Sequence, residues 1–196
     1  MDFISHNLKK IKPSPTMVIT AKARELKAAG QKIISLSSGE PDFDTPKHVK
    51  EAAIKAINMG YTKYTNVEGI PELKQAIVNK FKNDNEIEYN IDQVIVGVGG
   101  KQILFNALFS SLNVGDEVII PTPYWVSYPD MTMLAGGVPK FLECSDQNEF
   151  KIIPKDLDNL ISKKTKWIIL NSPSNPSGSC YSKQELIDIA DVLRQH

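Results

Sequence analysis

The chain has 196 residues, and its 23 Lys and Arg balance 23 Asp and Glu, so the formal net charge is zero at pH 7. Hydrophobic residues make up 41% and charged residues 23%, which are ordinary globular values and exclude wholesale disorder. A neutral chain lacks the basic surface that nucleic acid selects, and no apolar run approaches the roughly 20 residues of a membrane span. We therefore expect neither a nucleic-acid nor a membrane partner.

Cysteine and histidine usage predicts a reducing compartment and no metal centre. Cys144 and Cys180 form no C-x-x-C pair, and the three histidines do not cluster with them at metal-ligand spacing. The first ten residues contain no uninterrupted apolar segment of the kind found in secretory signals. We therefore expect a cytoplasmic protein.

The first part of the chain is predicted to be helical and rich in loops. A helix over residues 18–29 ends at Gly30 and is followed by a short strand over 33–35. A second helix is expected to have Thr45 as its N-cap and Pro46 at its first position, and a third begins at Pro71.

Strands and helices alternate through the rest of the chain. The strands are predicted at residues 94–96, 117–120, 138–143 and 167–170, with a helix after each and the last helix beginning near Ser182. This alternation predicts an α/β fold with a largely parallel sheet. Ligands of such folds bind at the carboxyl ends of the strands, so the loops that follow the strands are the candidate site.

The loop after residues 94–96 has the strand, glycine turn and helix context of an anion site. Free backbone N–H groups and the helix dipole at Gly99 and Gly100 would attract a phosphate. The dinucleotide fingerprint requires Gly at position 102 and the Walker P-loop requires Ser or Thr there, but the chain has Gln102. This weakens the alternative interpretation of the chain as a nucleotide-binding α/β protein. The positive charge of Lys101 is unfavourable at the positive end of the helix dipole unless a bound anion offsets it. The alternative to an anion site is a flexible turn with a solvated lysine.

Three further loops carry unusual residues. One spans residues 37–43, one carries Trp125 after the second sheet strand, and one holds Asn175 between two prolines after the fourth. An aromatic side chain at a strand end could stack on a flat ring, and a rigidly held amide could present a fixed donor. Taken singly, Trp125 is as well explained by core packing and Asn175 by a turn.

Taken together, these motifs resemble the class I, fold-type I aminotransferases that use pyridoxal 5′-phosphate (PLP), in the bacterial aspartate aminotransferase branch. The resemblance extends over essentially the whole chain but only the N-terminal half of the family's usual length. The matching segments are SGEPDFDTP at 38–46, KYT at 63–65, EGIPEL at 68–73, GGKQ at 99–102, PYWVSY at 123–128 and NSPSNPSG at 171–178.

The resemblance implies which residues would hold the cofactor. Gly99, Gly100 and Lys101 match the turn that binds the PLP phosphate, and Trp125 matches the aromatic residue that stacks on the pyridine ring. Asn175 matches the donor to the phenolic oxygen of the ring.

The resemblance also implies substrate and subunit contacts. Gly39 matches the residue whose amide meets the substrate carboxylate, and Trp125 and Asn175 also border the substrate. Lys12, Thr16 and Lys101 lie where relatives that accept dicarboxylic substrates, including prephenate, place recognition groups. Tyr64 matches the tyrosine that reaches the phosphate held by a neighbouring subunit, which implies a homodimer.

The resemblance further implies transamination between aspartate or glutamate and a 2-oxo acid such as 2-oxoglutarate or oxaloacetate, with prephenate as a further substrate. The fold implied is an incomplete PLP-binding large domain over residues 46–196, with an N-terminal arm and small-domain segment over 1–45. The family's Schiff-base lysine would lie beyond His196, so we expect residues 1–196 alone to be inactive.

Three alternatives stay open at this stage. Another class I aminotransferase or a PLP lyase would share nearly every motif. A non-catalytic binding module with an aminotransferase-like fold is a third; the absence of a basic region weighs against a DNA-binding version of it.

Overall fold

The computed structural model describes residues 3–36, 39 and 41–196. The chain forms two compact units. The sheet unit comprises Met1–Lys12 and Lys101–His196, and the helical unit comprises Pro13–Gly100. The domain division at residue 45 remains a prediction.

The helical unit contains the three helices predicted from the sequence. They are α1 (Pro15–Ala28), α2 (Lys47–Asn58) and α3 (Pro71–Asn85). The predicted start of α2 is wrong by one residue. Pro46 is its N-cap, with an extended ψ of 140°, and the N–H of Thr45 donates to the carboxylate of Asp44 at 2.9 Å. Local hydrogen bonding by an aspartate thus holds the residues before the helix.

Two predicted strands are absent from the described part of the helical unit. Residues 33–35 and 94–96 are irregular. The N–H of Val96 donates to the carbonyl of Glu68 at 2.9 Å, so a loop rather than a strand contacts this segment. A strand exists only where a neighbouring strand supplies its ladder of hydrogen bonds, and apolar composition alone does not supply that neighbour.

The sheet unit contains a three-stranded parallel sheet in the order β2-β1-β3. This confirms the prediction of an α/β fold, with the sheet open at both edges. Its strands are β1 (Glu117–Pro121), β2 (Val138–Leu142) and β3 (Thr165–Ile168). The helices are α4 (Gly100–Ser111), whose first residue closes the helical unit, α5 (Ser127–Leu134), α6 (Pro154–Leu160) and α7 (Lys183–Leu193).

Strand β1 lies at the centre of the sheet and is buried on both faces. Val118 and Ile120 contribute to one apolar cluster, and Ile119 contributes to a second cluster on the opposite face. All three side chains have 0% relative exposure. The near-continuous apolar sequence of β1 is explained by this position, since parallel strands are covered on both sides.

Among the described helices, none is both long and apolar enough to cross a membrane.

Helix α7 begins with a capping box that carries a pH-sensitive contact. Ser182 Oγ accepts from the N–H of Glu185 at 3.3 Å, and Glu185 Oε2 accepts from the N–H of Ser182 at 2.6 Å. The bond from the backbone N–H of Ser182 to the carboxylate, with further ones from the Ser182 side chain and Lys151 Nζ, holds the pKa of Glu185 below its usual 4.5. The fold therefore favours the ionised carboxylate.

We expect the stabilisation from Glu185 to be present above its ordinary pKa and to be lost as the pH falls through the lower pKa of the folded state. Glu185→Gln should lower the melting temperature at neutral pH, and the difference in melting temperature between the variant and the unaltered chain should shrink as the pH is lowered. Thermal melts from neutral pH down through the pKa of Glu185 measure this difference, with Glu86→Gln as an exposed control. A difference independent of pH would contradict this account.

Candidate active site

The candidate site of the sheet unit lies at the carboxyl ends of β1 and β3. Because parallel strands end at the same edge of a sheet, the loops after β1 and β3 lie side by side. They border a small cleft. Tyrosine rings form part of its wall, and residues of the loop after β3, including two asparagines, form another part. Its lining residues are Pro121, Pro123, Tyr124, Tyr128, Phe150, Ile169, Leu170, Asn171, Ser174, Asn175 and Tyr181.

Trp125 lies on the loop between β1 and α5, partly buried against the apolar cluster that contains Ile120. Its ring meets that of Tyr128 edge to face, at 5.4 Å between centroids and 86° between planes. The Nζ of Lys101 lies 4.9 Å from the centroid of the Trp125 ring, within the range of a cation–π contact. The structure thus brings together two of the residues that the sequence analysis selected.

Asn175 lies on the loop after β3, and its side chain is exposed. Its backbone N–H donates to Oδ1 of Asn171 at 2.8 Å. The peptide bonds before Pro173 and Pro176 are both cis. The loop is therefore closed by local hydrogen bonds, and the amide of Asn175 remains on the wall of the cleft.

Two residues of this cleft were not singled out by the sequence analysis. Tyr181 lies beyond the motif that contains Asn175, and its hydroxyl accepts from the N–H of Ile152 at 2.9 Å. Burial is the main cause of the raised pKa of Tyr181, and burial also raises the pKa of Tyr128. No local pattern marks Tyr181, because its partner Ile152 is distant in sequence. Asn171 opens the motif and could have been found as an Asx-turn residue.

The helical unit holds the remaining predicted cofactor residues. Gly99 has a φ of +83°, which requires glycine, and Gly100 is the first residue of α4. A Cβ added to either glycine would meet no atom within 4 Å, so their backbone is open to a ligand. Tyr64 is fully exposed.

The predicted substrate residues lie in both units. Gly39 is described and has open space at its Cβ position, whereas its motif neighbours Ser37, Ser38 and Glu40 lie outside the described residues. Lys12 is exposed at the end of the first segment of the sheet unit. Thr16 lies in the first turn of α1 and is partly buried.

Comparison with known proteins places the chain in a family. Residues 31–196 match the model of the aminotransferase class I and II family. The chain is 59% identical to a probable aspartate/prephenate aminotransferase of Rickettsia bellii, over all of this chain and 49% of that protein. It is 55% identical to the aspartate/prephenate aminotransferase of Cereibacter sphaeroides, again over all of this chain and 49% of that protein.

Solved structures agree with the sequence comparison. Aspartate aminotransferase from Thermus thermophilus, solved with maleate, superposes with a TM-score of 0.96 at 44% identity, covering 100% of this chain and 51% of that one. The aspartate aminotransferase of Rhizobium meliloti superposes with a TM-score of 0.94 at 45% identity, covering 100% and 49%. The chain thus spans about half the length of the relatives it matches. It belongs to the class I and II aminotransferase family.

Proposed function

We propose that this chain supplies the PLP-holding part of an enzyme that transfers an amino group from aspartate or glutamate to a 2-oxo acid. The single observation that carries the proposal is the position of Lys101. Its ammonium group lies in the first turn of α4 and 4.9 Å from the ring of Trp125. A cation for a phosphate and an aromatic face for a ring are therefore adjacent.

The start of α4 suits a phosphate group. The dipole of a helix places partial positive charge at its N-terminus, so a lysine there is unfavourable unless an anion offsets it. The Cβ positions of Gly99 and Gly100 face open space, so no neighbouring side chain fills the start of the helix, although the N–H of Gly99 donates to the carbonyl of Gly97 at 3.0 Å. These residues, with Lys101, fit the phosphate of PLP.

The loops after β1 and β3 suit an aromatic ring with a phenolic oxygen. Core packing and the edge-to-face contact with Tyr128 fix the ring of Trp125, which leaves it suited to stacking. The side chain of Asn175 lies on an exposed wall and carries an N–H donor. A donor to the phenolic oxygen would favour its ionised form.

When bound, PLP supplies an electron sink for the α-carbon of an amino acid. The residues of this chain would bind and orient the reactants. Gly39 would offer its amide to the substrate carboxylate, and Trp125 and Asn175 would border the substrate. Lys12, Thr16 and Lys101 would meet a second acidic group, which the aspartate and prephenate in the names of the Rickettsia and Cereibacter relatives support.

We further propose that the enzyme is a cytoplasmic homodimer in which Tyr64 reaches the phosphate held by the neighbouring subunit. Its full exposure leaves the phenol available for such a contact. The division into an arm over residues 1–45 and a PLP-binding domain from residue 46 belongs to the same proposal.

Fluorescence tests the cofactor part of the proposal. The chain has two tryptophans, so Trp167→Phe leaves Trp125 as its single emitter. Pyridoxamine 5′-phosphate is the better probe, because it has no aldehyde to react with surface lysines. We expect saturable quenching of more than half of the Trp125 emission, because a stacked ring accepts its excitation.

The matched control is Trp125→Phe, in which Trp167 alone emits and little saturable quenching is expected. Equal quenching of the two variants would overturn the assignment of the ring site. The substrate class is tested separately on the product of the complete reading frame, by measuring transfer from aspartate to 2-oxoglutarate. Elimination or no turnover in that assay would favour a lyase or a binding module.

A further inference from the structure

The loop that carries Asn175 needs a support from outside itself. Bonds within the loop close it: besides the bond from Asn175 to Asn171, the N–H of Ser174 donates to the carbonyl of Ser179 at 2.9 Å, and the N–H of Gly178 donates to the carbonyl of Ser174 at 2.7 Å. These bonds join residues of the loop to one another and not to the rest of the sheet unit. An amide that must meet one oxygen of a ligand requires such a fixed position.

Tyr181 joins this loop to the body of the sheet unit in three ways. Its own N–H donates to Oγ of Ser172 at 3.2 Å, which holds the start of the loop. Its hydroxyl accepts from the N–H of Ile152 at 2.9 Å. Its ring packs against the apolar cluster that contains Ile119, Cys144 and Ile152.

The partner of the hydroxyl is buried and needs this bond. Ile152 has 5% relative exposure, so its N–H would lack water if the phenol were removed. A second bond runs in parallel, because Oγ of Ser179 donates to the carbonyl of Glu149 at 2.5 Å. The segment 149–152 therefore holds the loop at two points, and the bond to Tyr181 is the more buried of the two.

We propose that Tyr181 is a positioning residue that sets the orientation of the Asn175 amide toward the phenolic oxygen of the bound ring. The inference rests on the proposed function, since it needs Asn175 as the donor. Tyr181 acts through the loop, by its bonds to Ile152 and Ser172. Loss of its hydroxyl should let the loop move and weaken the Asn175 contact without removing the ring site at Trp125.

The test follows the pH midpoint of the absorbance change when the phenolic oxygen of bound pyridoxamine 5′-phosphate ionises. A hydrogen-bond donor lowers this midpoint because it favours the ionised oxygen. Asn175→Ala should raise it by about one pH unit, which corresponds to one hydrogen bond to a charged group. Tyr181→Phe should raise it by roughly a third to half as much, because the donor remains but is less well oriented.

A double variant separates positioning from a general loss of structure. If Tyr181 acts through Asn175, Tyr181→Phe should add almost nothing to the midpoint shift in a chain that already carries Asn175→Ala. Tyr89→Phe is the matched control: Tyr89 lies in the helical unit against Phe81, and its loss of a hydroxyl should leave the midpoint unchanged.

The outcomes distinguish the two proposals. If Asn175→Ala shifts the midpoint and Tyr181→Phe does not, or if the shift from Tyr181→Phe persists in full in the double variant, the positioning role is wrong. If Asn175→Ala itself leaves the midpoint unchanged, Asn175 is not the donor, and the inference falls with that assignment. Binding of the probe to Trp125, measured by fluorescence, reports on the ring site independently of both.

Discussion

Trp125→Ala is expected to weaken the binding of pyridoxamine 5′-phosphate by about 1–3 kcal/mol, roughly 5- to 150-fold in Kd. The indole, held edge to face against Tyr128, provides the flat face on which the cofactor ring would stack. Absorbance titration measures the affinity without relying on tryptophan emission.

Three variants keep this result interpretable. Trp125→Phe retains an aromatic face and should recover most of the affinity. Lys101→Met removes only the cation and should weaken binding through the phosphate, by about 1.5–3 kcal/mol. Trp167→Phe changes the other tryptophan, which lies in β3 and whose Nε1–H donates to Ser111 Oγ at 2.9 Å, and this variant should bind pyridoxamine 5′-phosphate as the unaltered chain does. Unchanged affinity in Trp125→Ala would remove the indole from the site.

Ile120→Ala is expected to lower the free energy of unfolding by about 2–5 kcal/mol. Ile120 lies in the central strand with 0% exposure, and its side chain packs in the cluster that supports Trp125. Removing three carbons leaves a cavity between β1 and the helices that cover it. Denaturation by urea, monitored by circular dichroism, measures the loss.

Two isoleucine variants calibrate this value. Ile120→Val removes one methyl group and should cost about 0.5–1.5 kcal/mol. Ile57→Ala lies on α2, where the side chain is 62% exposed, and should change stability by less than about 0.5 kcal/mol. A decrease in the free energy of unfolding below about 1 kcal/mol in Ile120→Ala would contradict tight packing around Ile120. It would mean that neighbouring side chains move to fill the space.

The sequence by itself determined the features that depend on neighbouring residues. Pro71 marked the start of α3 because its fixed φ suits a first helical position, and Ser182 marked the start of α7 because its side chain can cap the helix. The alternation of apolar runs and helical patterns predicted the parallel sheet. The motifs around Trp125 and Asn175 lie within single loops, so their spacing was visible without a structure.

Only the tertiary structure decided which segments pair and which side chains meet. The apolar run at residues 94–96 is as strand-like as β1, yet it is irregular, because pairing depends on a neighbour that local sequence does not specify. The contact of Lys101 with Trp125 and the bond from Ile152 to Tyr181 join residues far apart in the chain. Their proximity depends on how the helices and loops pack on the sheet, which no local sequence pattern specifies.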